Sequence, residues 1–375
     1  MPNHGLVGND SGISIPHKDK ELVERLSENY NVCIATQFIA EKDSFADGAL
    51  QSSEKIRVLK IGTRALGGSK LKKLYCYILS LIHFVVALCV KRNTFWYIYF
   101  PGYNSVIASC ICALFNRPFA LYVRGDWRYS AFFEKPSKYV FAKAKFILTT
   151  GIGFKSFIEP LNSNVYPVSP MIAVNDSKCA KRSFSGNDKK TKLLFVGHLS
   201  EEKGVYLVLK ALAELVGSSA SEYSLEIVGG GAEIEVDRLN AEIDRLGVSQ
   251  YVNYVGHLSN GKELAHRFLG ADVFVYPSYF QEGFPRVVYE AMLMELPIVC
   301  TILPGMAGFM DNESNCLEVV PKDLASLVNA IKKLNKAEIR KNLGEQARSD
   351  IVDYLSAFKG ATHADQVLDL IAKSA

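Results

Sequence analysis

The sequence predicts an α/β protein made of two doubly wound domains, and three observations carry that expectation. Apolar runs of strand length alternate with helical runs along nearly the whole chain, as in parallel sheets wrapped by helices. A polar, weakly periodic stretch, AVNDSKCAKRSFSGNDKK at 173–190, interrupts the alternation and reads as a linker. The 375 residues exceed what one core ordinarily holds. The expected divisions are a first domain at 1–172, a linker at 173–190, a second domain at 191–344 and a helical tail at 345–375.

In the first half, short runs rich in β-branched and aromatic residues predict strands at 32–36, 56–61, 95–100, 119–123 and 146–149. Helical spacing predicts helices at 21–29 and 105–115. In the second half, strands are expected at 192–196, 224–228, 252–255, 273–276 and 298–301. Helices are expected between and after them at 205–216, 233–246, 262–269, 285–294 and 324–334. Ligands of such sheets bind beyond the carboxyl ends of the strands. Two such ends facing across a cleft would hold one substrate on each side. The opening MPNHGLVGNDSGIS supplies Gly5, Gly8 and Gly12 with only a stub of apolar sequence before them. A glycine loop there lacks a full first strand, which suggests a trimmed or misassigned start.

Composition narrows the class. Hydrophobic content of 49% and charged content of 22% are globular values and exclude a disordered chain. With 43 basic and 39 acidic residues, the net charge of +4 gives no footprint of a nucleic-acid binder. The eight cysteines lie mostly in apolar runs and form no C-x-x-C pair, so they read as small hydrophobes rather than zinc ligands. That usage and the lack of a signal peptide point to a reducing cytoplasm.

The segment LYCYILSLIHFVVALCV at 74–90 is flanked by Lys70, Lys72, Lys73, Lys91 and Arg92. The preferred reading is a buried helix that leads into the strand at 95–100. An interfacial helix on acidic headgroups, at the inner face of a membrane, is a second reading. A membrane span is the third, at the short limit of length.

Two motifs carry most of the chemistry. In YPSYFQEGFPRVVYEAMLMELPIVCT, residues 276–301, Glu282 and Glu290 stand eight positions apart around a Gly-Phe-Pro turn. Pro285 suits the first helical position, and helical side chains lean toward the N-terminus, so Glu290 can reach back toward that turn. Gly283 allows close backbone approach, with the Phe284 amide beside it. Ionised carboxylates accept with two oxygens and suit paired sugar hydroxyls. Glu282 would grip a hexose and Glu290 a ribose, with a diphosphate over the helix start. In FVGHLSEEKGVYLVLKAL, residues 195–212, Gly197 permits a turn after a strand, and His198 and Lys203 flank it. An ammonium beside free helix-start amides is a place to hold phosphate. A strand-loop-helix junction with a solvated Lys203 is the plain alternative here, and a solvated or capping acid is the plain alternative for either Glu alone.

Weaker signals accompany them. The triple-glycine loop in VGGGAE puts Gly229 and Gly230 after a strand and before a helix, as beside a nucleotide. LYVRGDWRYS puts Arg124 and Asp126 just past another strand. Asp126 would orient an acceptor hydroxyl and Arg124 would meet phosphate, with an Arg–Asp surface pair as the alternative. GHLSNGKE at 256–263 misses a phosphate-binding loop, because Glu263 stands where Ser or Thr must hold magnesium. No Asp-x-Asp pair occurs, which removes one common way to hold a metal-bound sugar diphosphate.

GHLSEEKG at 197–204, the glycine loop at 229–231 and the Glu282–Glu290 spacing, in this order, resemble the retaining glycosyltransferases of family 4. The trailing LPIVCT and PGMAGFMDNESNCLEV resemble that family too, so the likeness covers about 190–335 well and the first half only in layout. It implies the GT-B fold, two Rossmann-like domains facing a cleft, with the tail from about 345 to 372 crossing back onto an acceptor-binding first domain. It implies a nucleotide-sugar donor held by the second domain, with Lys203 on the diphosphate, Glu290 on the ribose and Glu282 on the sugar. Gly283 and Phe284 amides would assist, and the loop Gly256–Leu258 would lie near the base. The first-domain glycine loop would correspond to Gly8 and Gly12. His198 departs from the arginine usual there, and Arg124-Gly125-Asp126 from the usual His-containing loop.

The activity so implied is retaining transfer of a hexose-type sugar to a hydroxyl of a glycan or lipid-linked glycan, with no metal and no other cofactor. Two alternatives remain: a non-catalytic nucleotide-sugar-binding subunit and a sugar-nucleotide epimerase, because fold alone does not fix activity.

Overall fold

The computed structural model describes residues 7–9, 12–15, 17–38, 48–51, 53–63, 70–90, 93–128, 130–170, 191–218, 223–259 and 261–374. The expected linker at 173–190 lies outside them. The chain divides into two compact units, Met1–Met171 with Ala361–Ala375, and Ile172–Gly360.

In the first unit, β1 (Val7–Asn9), β2 (Gly12–Ile15) and β4 (Gly48–Gln51) form a small antiparallel sheet. Helix α1 (His17–Ser27) follows β2. β3 (Val32–Phe38) and β5 (Ile56–Thr63) pair in parallel. Helix α2 (Lys70–Val90) leads to β6 (Trp96–Phe100). From there strand and helix alternate through α3 (Tyr103–Leu114), β7 (Phe119–Val123), α4 (Ala131–Lys143), β8 (Ile147–Thr149), α5 (Gly153–Ile158) and β9 (Val165–Pro167). The last four strands make a parallel sheet in chain order. The parallel strands of this unit thus fall into two ladders. Alternation sends Ile98, Phe100 and Leu121 to a core shared with α3, α4 and α5. The opposite face carries Ala120, Tyr122 and Leu148.

The second unit is one six-stranded parallel sheet. It runs β10 (Thr191–Val196), α6 (Val205–Ser218), β11 (Tyr223–Val228), α7 (Glu233–Arg245), β12 (Val252–Gly256), α8 (Lys262–Gly270), β13 (Val273–Tyr276), α9 (Arg286–Leu293), β14 (Ile298–Cys300) and β15 (Leu317–Glu318). Helices α10 (Leu324–Lys333) and α11 (Ala337–Ser356) follow, and α11 packs on α9. The strand order is β12-β11-β10-β13-β14-β15. Leu193, Phe195, Phe274 and Val299 are buried because helices cover both faces, and each such side chain contributes about 1.5–3 kcal/mol.

Three expectations need correction. The tail expected as one helix from about 345 to 372 is two, α11 and α12 (His363–Ser374), and α11 belongs to the second unit. Lys359 and Gly360 adopt left-handed φ of 50° and 76°, which an α-helix cannot accommodate. α12 returns to the first unit, where Ala364 and Val367 cover the face of Tyr122 and Leu148. The Tyr97 hydroxyl is 2.7 Å from His363 Nε2, and the Ser169 amide donates to Gln366 Oε1 at 2.8 Å.

Second, α2 is not a buried helix. Phe84 and Ala87 face the core while a row of large apolar residues faces outward. The span reading falls as well, since no helix among the described residues is long and apolar enough to cross a membrane. Third, Gly8 and Gly12 do not form a loop after a parallel strand. They lie in paired antiparallel strands, Gly8 opposite Ile13 and Gly12 opposite both Asn9 and Gln51.

Candidate active site

Sheet order decides where a site can form in the second unit. β10 is its first strand yet lies inside the sheet, with β11 to one side and β13 to the other. Loops leaving β10 and β13 therefore diverge and open a crevice at their carboxyl ends. Lys203 comes from the first loop and Glu282 from the second. They meet there.

The Lys203 Nζ lies 2.5 Å from Glu282 Oε1 and 3.0 Å from the Tyr276 hydroxyl. That hydroxyl donates to the same carboxylate oxygen at 2.9 Å, and Ser278 Oγ is 3.5 Å from it. Burial, and then the Glu282 charge, push the Tyr276 phenol well above its ordinary pKa, so it keeps its proton as a donor. The ammonium lies 4.8 Å from the Phe280 ring centroid. Both charged groups are only partly covered, with 15% of the Lys203 side chain and 21% of Glu282 exposed, so a ligand can compete for either.

Backbone devices hold the pair in place. Residues Glu201–Lys203 form one 3-10 turn, ended by Gly204 at φ 84°. A Cβ on Gly204 would stand 2.6 Å from the Pro277 carbonyl oxygen. The Tyr279 amide donates to the Glu202 carbonyl at 2.8 Å and fastens the second loop to the first. On the other side, the Gly197 amide donates to the Val228 carbonyl and the Gly229 amide to the Gly256 carbonyl. The approach is so close that a Cβ on Gly229 would lie 1.8 Å from the Gly197 carbonyl oxygen. Gly230 rests against His257, and Leu258 packs onto the core. The four strand-end loops expected to matter, after β10, β11, β12 and β13, therefore line one edge of the sheet.

Pro285 is the N-cap of α9, so the helix starts at Arg286, one residue later than expected. Glu290 lies on its second turn and is 1% exposed. Arg286 Nε stands 3.3 Å from Glu290 Oε1, a partner supplied one turn earlier on the same helix. Phe284 is buried and stacks on Tyr289 with centroids 3.8 Å apart. Gly283 touches the backbone of Gly305, where a Cβ on Gly305 would meet Gly283 Cα at 2.7 Å. His198 Nε2 is 3.7 Å from Glu235 Oε2, which also accepts from the Ala232 amide at 2.7 Å.

The first-unit candidates stand differently. Asp126 is held by Arg128, whose Nε and Nη2 donate to its two oxygens at 2.9 and 3.1 Å, and whose amide donates at 3.0 Å. The pair foreseen with Arg124 forms with Arg128 instead, and it occupies the carboxylate expected to orient an acceptor. Arg124 lies 5.7 Å from the Tyr99 and Tyr122 ring centroids, beyond the carboxyl ends of β6 and β7. Sequence reasoning missed Tyr276, Ser278, Arg286 and Gly305. All four lie within or beside the quoted motif, so proximity to Glu282 was the available signal.

A family model described as Glycosyl transferases group 1 matches residues 177–350. The D-inositol 3-phosphate glycosyltransferase of Corynebacterium jeikeium is 30% identical over 166 residues, 43% of this chain and 39% of that protein. The capsular polysaccharide biosynthesis glycosyltransferase CapM of Staphylococcus aureus is 25% identical over 166 residues, 44% of this chain and 42% of that one. The chain thus spans less than half the length of these curated relatives. Among solved structures, sucrose-phosphate synthase from Thermosynechococcus elongatus superposes with a TM-score of 0.66 at 16% identity, over 94% of this chain and 91% of that one. Anabaena HepE in complex with UDP gives 0.60 at 16% identity, over 86% and 87%. At such identities the likeness shows the fold alone, that of the GT-B glycosyltransferases.

Proposed function

We propose, from the match of residues 177–350 to the group 1 glycosyl transferases, that the chain moves a hexose-type sugar from a nucleotide-sugar donor to a hydroxyl of a glycan or lipid-linked glycan, with retention at the anomeric carbon. The observation that carries the reading is the Lys203–Glu282–Tyr276 cluster at the β10/β13 switch point, with Glu290 behind it on α9. Lys203 binds the donor diphosphate and steadies it as it leaves, aided by the amides at the start of α9. The diphosphate competes with Glu282 for the ammonium, which frees Glu282 to accept from sugar hydroxyls. Tyr276 keeps one oxygen of Glu282 oriented. Glu290 accepts from the ribose hydroxyls. The acceptor oxygen attacks from the face that the diphosphate leaves, and its proton passes to the departing oxygen.

Arg124, beyond the carboxyl ends of β6 and β7, is proposed to meet an acceptor phosphate. Asp126 orients the acceptor only where Arg128 is drawn away. The reaction uses no metal, because Lys203 and the helix start supply the positive charge. CapM is named for capsular polysaccharide biosynthesis, and HepE is seen with UDP, which favours cell-surface glycan synthesis and a uridine donor here.

Thermal shift with UDP-, GDP-, ADP- and dTDP-sugars, on the native chain and on Glu290→Ala, tests the donor site. One nucleotide class raises the melting temperature by mass action, and the variant loses that rise. Transfer then persists in excess chelator. No shift with any donor in a folded chain, or none lost on Glu290→Ala, would sink the reading.

A further inference from the structure

The first unit carries a surface that sugar transfer does not use. On α2, Leu71, Tyr75, Ile78, Ile82, Val86 and Val90 recur at helical spacing and are 47–78% exposed. They form an apolar face on a helix about 31 Å long, at 1.5 Å per residue. Monomeric proteins rarely leave so long an apolar stripe in water. Its two ends are basic in sequence. Lys70, Lys72 and Lys73 stand in the first turn, and Lys91 and Arg92 follow the last residue.

Topology adds to one end. α2, α3 and α4 each lead into a strand of the same parallel sheet, so their carboxyl ends share its N-terminal edge. Leu114 and Phe115, at the end of α3, are 67% and 65% exposed there. Beside them opens a pocket of about 400 Å³ lined by Arg117, Lys143 and Lys145, with no acidic side chain in its wall. An exposed apolar face with cations at its rim matches a surface that is apolar inside and anionic outside.

We infer that α2 and the Arg117–Lys143–Lys145 pocket dock the protein onto an anionic lipid bilayer, with α2 lying in the interface and a lipid headgroup phosphate in the pocket. The apolar face enters the acyl boundary, and the basic ends meet the headgroups. Charge selects this occupant over a second copy of the chain. A two-fold pairing of this face sets the basic end of each α2 against a basic end of the other, in parallel and antiparallel alike. This inference goes beyond the proposed transfer and does not rest on it.

Flotation of the full chain tests it, since vesicle binding needs no sugar nucleotide. The vesicles are phosphatidylcholine alone and phosphatidylcholine mixed with phosphatidylserine. The expected result is flotation with the anionic vesicles at low ionic strength, weakening as salt rises. Ile82→Glu with Val86→Glu lowers the partition by on the order of a hundred-fold or more. Lys143→Ala with Lys145→Ala lowers it about five-fold per charge on anionic vesicles only. These positions are solvent-facing, so melting temperatures stay near the wild type; if the glutamate pair does not fold, Tyr75→Ser with Ile78→Ser takes its place. Three outcomes overturn the inference: wild type that stays unbound at low salt, glutamate variants that float as well as wild type, or a lipid-free dimer that those variants abolish.

Discussion

Tyr276 binds the two catalytic candidates together, since its hydroxyl accepts from Lys203 and donates to Glu282. Its ring is stacked between Phe195 and Phe274, so Tyr276→Phe keeps the packing and removes only the hydrogen bonds. A hydrogen bond to a charged group contributes about 1.5–3 kcal/mol. The variant should melt near the wild type while kcat/KM falls ten-fold or more, read from transfer kinetics beside a melting curve. A large loss of stability with unchanged kinetics would show the hydroxyl to be structural. At this scale the sequence was partly legible. Lys203, Glu282 and Glu290 stood out only in combination, since each alone has a plain explanation as a solvated or capping side chain. Tyr276 did not, because an aromatic ending a buried strand looks like core until its hydroxyl has a partner. Arg128 was overlooked for a related reason, since only the folded loop shows that it, and not Arg124, reaches Asp126.

At the scale of elements, the glycine loop is set by contact between backbones. Gly229→Ala places a methyl 1.8 Å from the Gly197 carbonyl oxygen, so the β10 and β11 loops must separate. A loss of about 3 kcal/mol or more is expected, along with loss of donor-induced stabilisation. Gly217→Ala, near the end of α6, meets nothing within 4 Å and should hold or raise the melting temperature. Equal melting of the two variants would refute the close packing of these loops. In the second unit β10 to β14 and α6 to α10 were legible nearly to their ends, whereas β15 and the start of α11 were not. Runs such as LLFV and VFVY are apolar throughout because both faces are covered. In the first unit α4 escaped notice because Pro136 reads as a breaker, although Phe133, Val140 and Phe141 bury enough surface to hold the helix. β1, β2 and β4 are too short and too rich in glycine to declare a period.

The whole molecule carries a set of phenols, Tyr122 buried and Tyr97, Tyr99 and Tyr354 half-buried, with consequences at high pH. Burial raises Tyr97 and Tyr99 well above the ordinary range, and Tyr122 and Tyr354 to about 12. Unfolded tyrosine loses its proton near pH 10. The stabilisation from these groups is therefore complete below about pH 10 and is lost as pH climbs toward 12. Stability should fall steeply over that window, and Tyr122→Phe should flatten the fall in denaturant titrations at successive pH values. An unchanged slope in the variant would mean that Tyr122 is not shielded as its burial implies.

The division of the first unit between both ends of the chain bears on the order in which the protein is made. Leu22, Tyr122 and Leu148 await Ala364, Val367, Leu370 and Ile371, the last side chains of their cluster to be synthesised. Residues 172–360 form an uninterrupted unit, whereas the first unit needs its final stretch, 361–375. Ribosomes usually release domains ready to fold from the N-terminus onward. Here the second unit has all its residues first, and the first unit waits with an apolar sheet face open until residues 361–375 have been made.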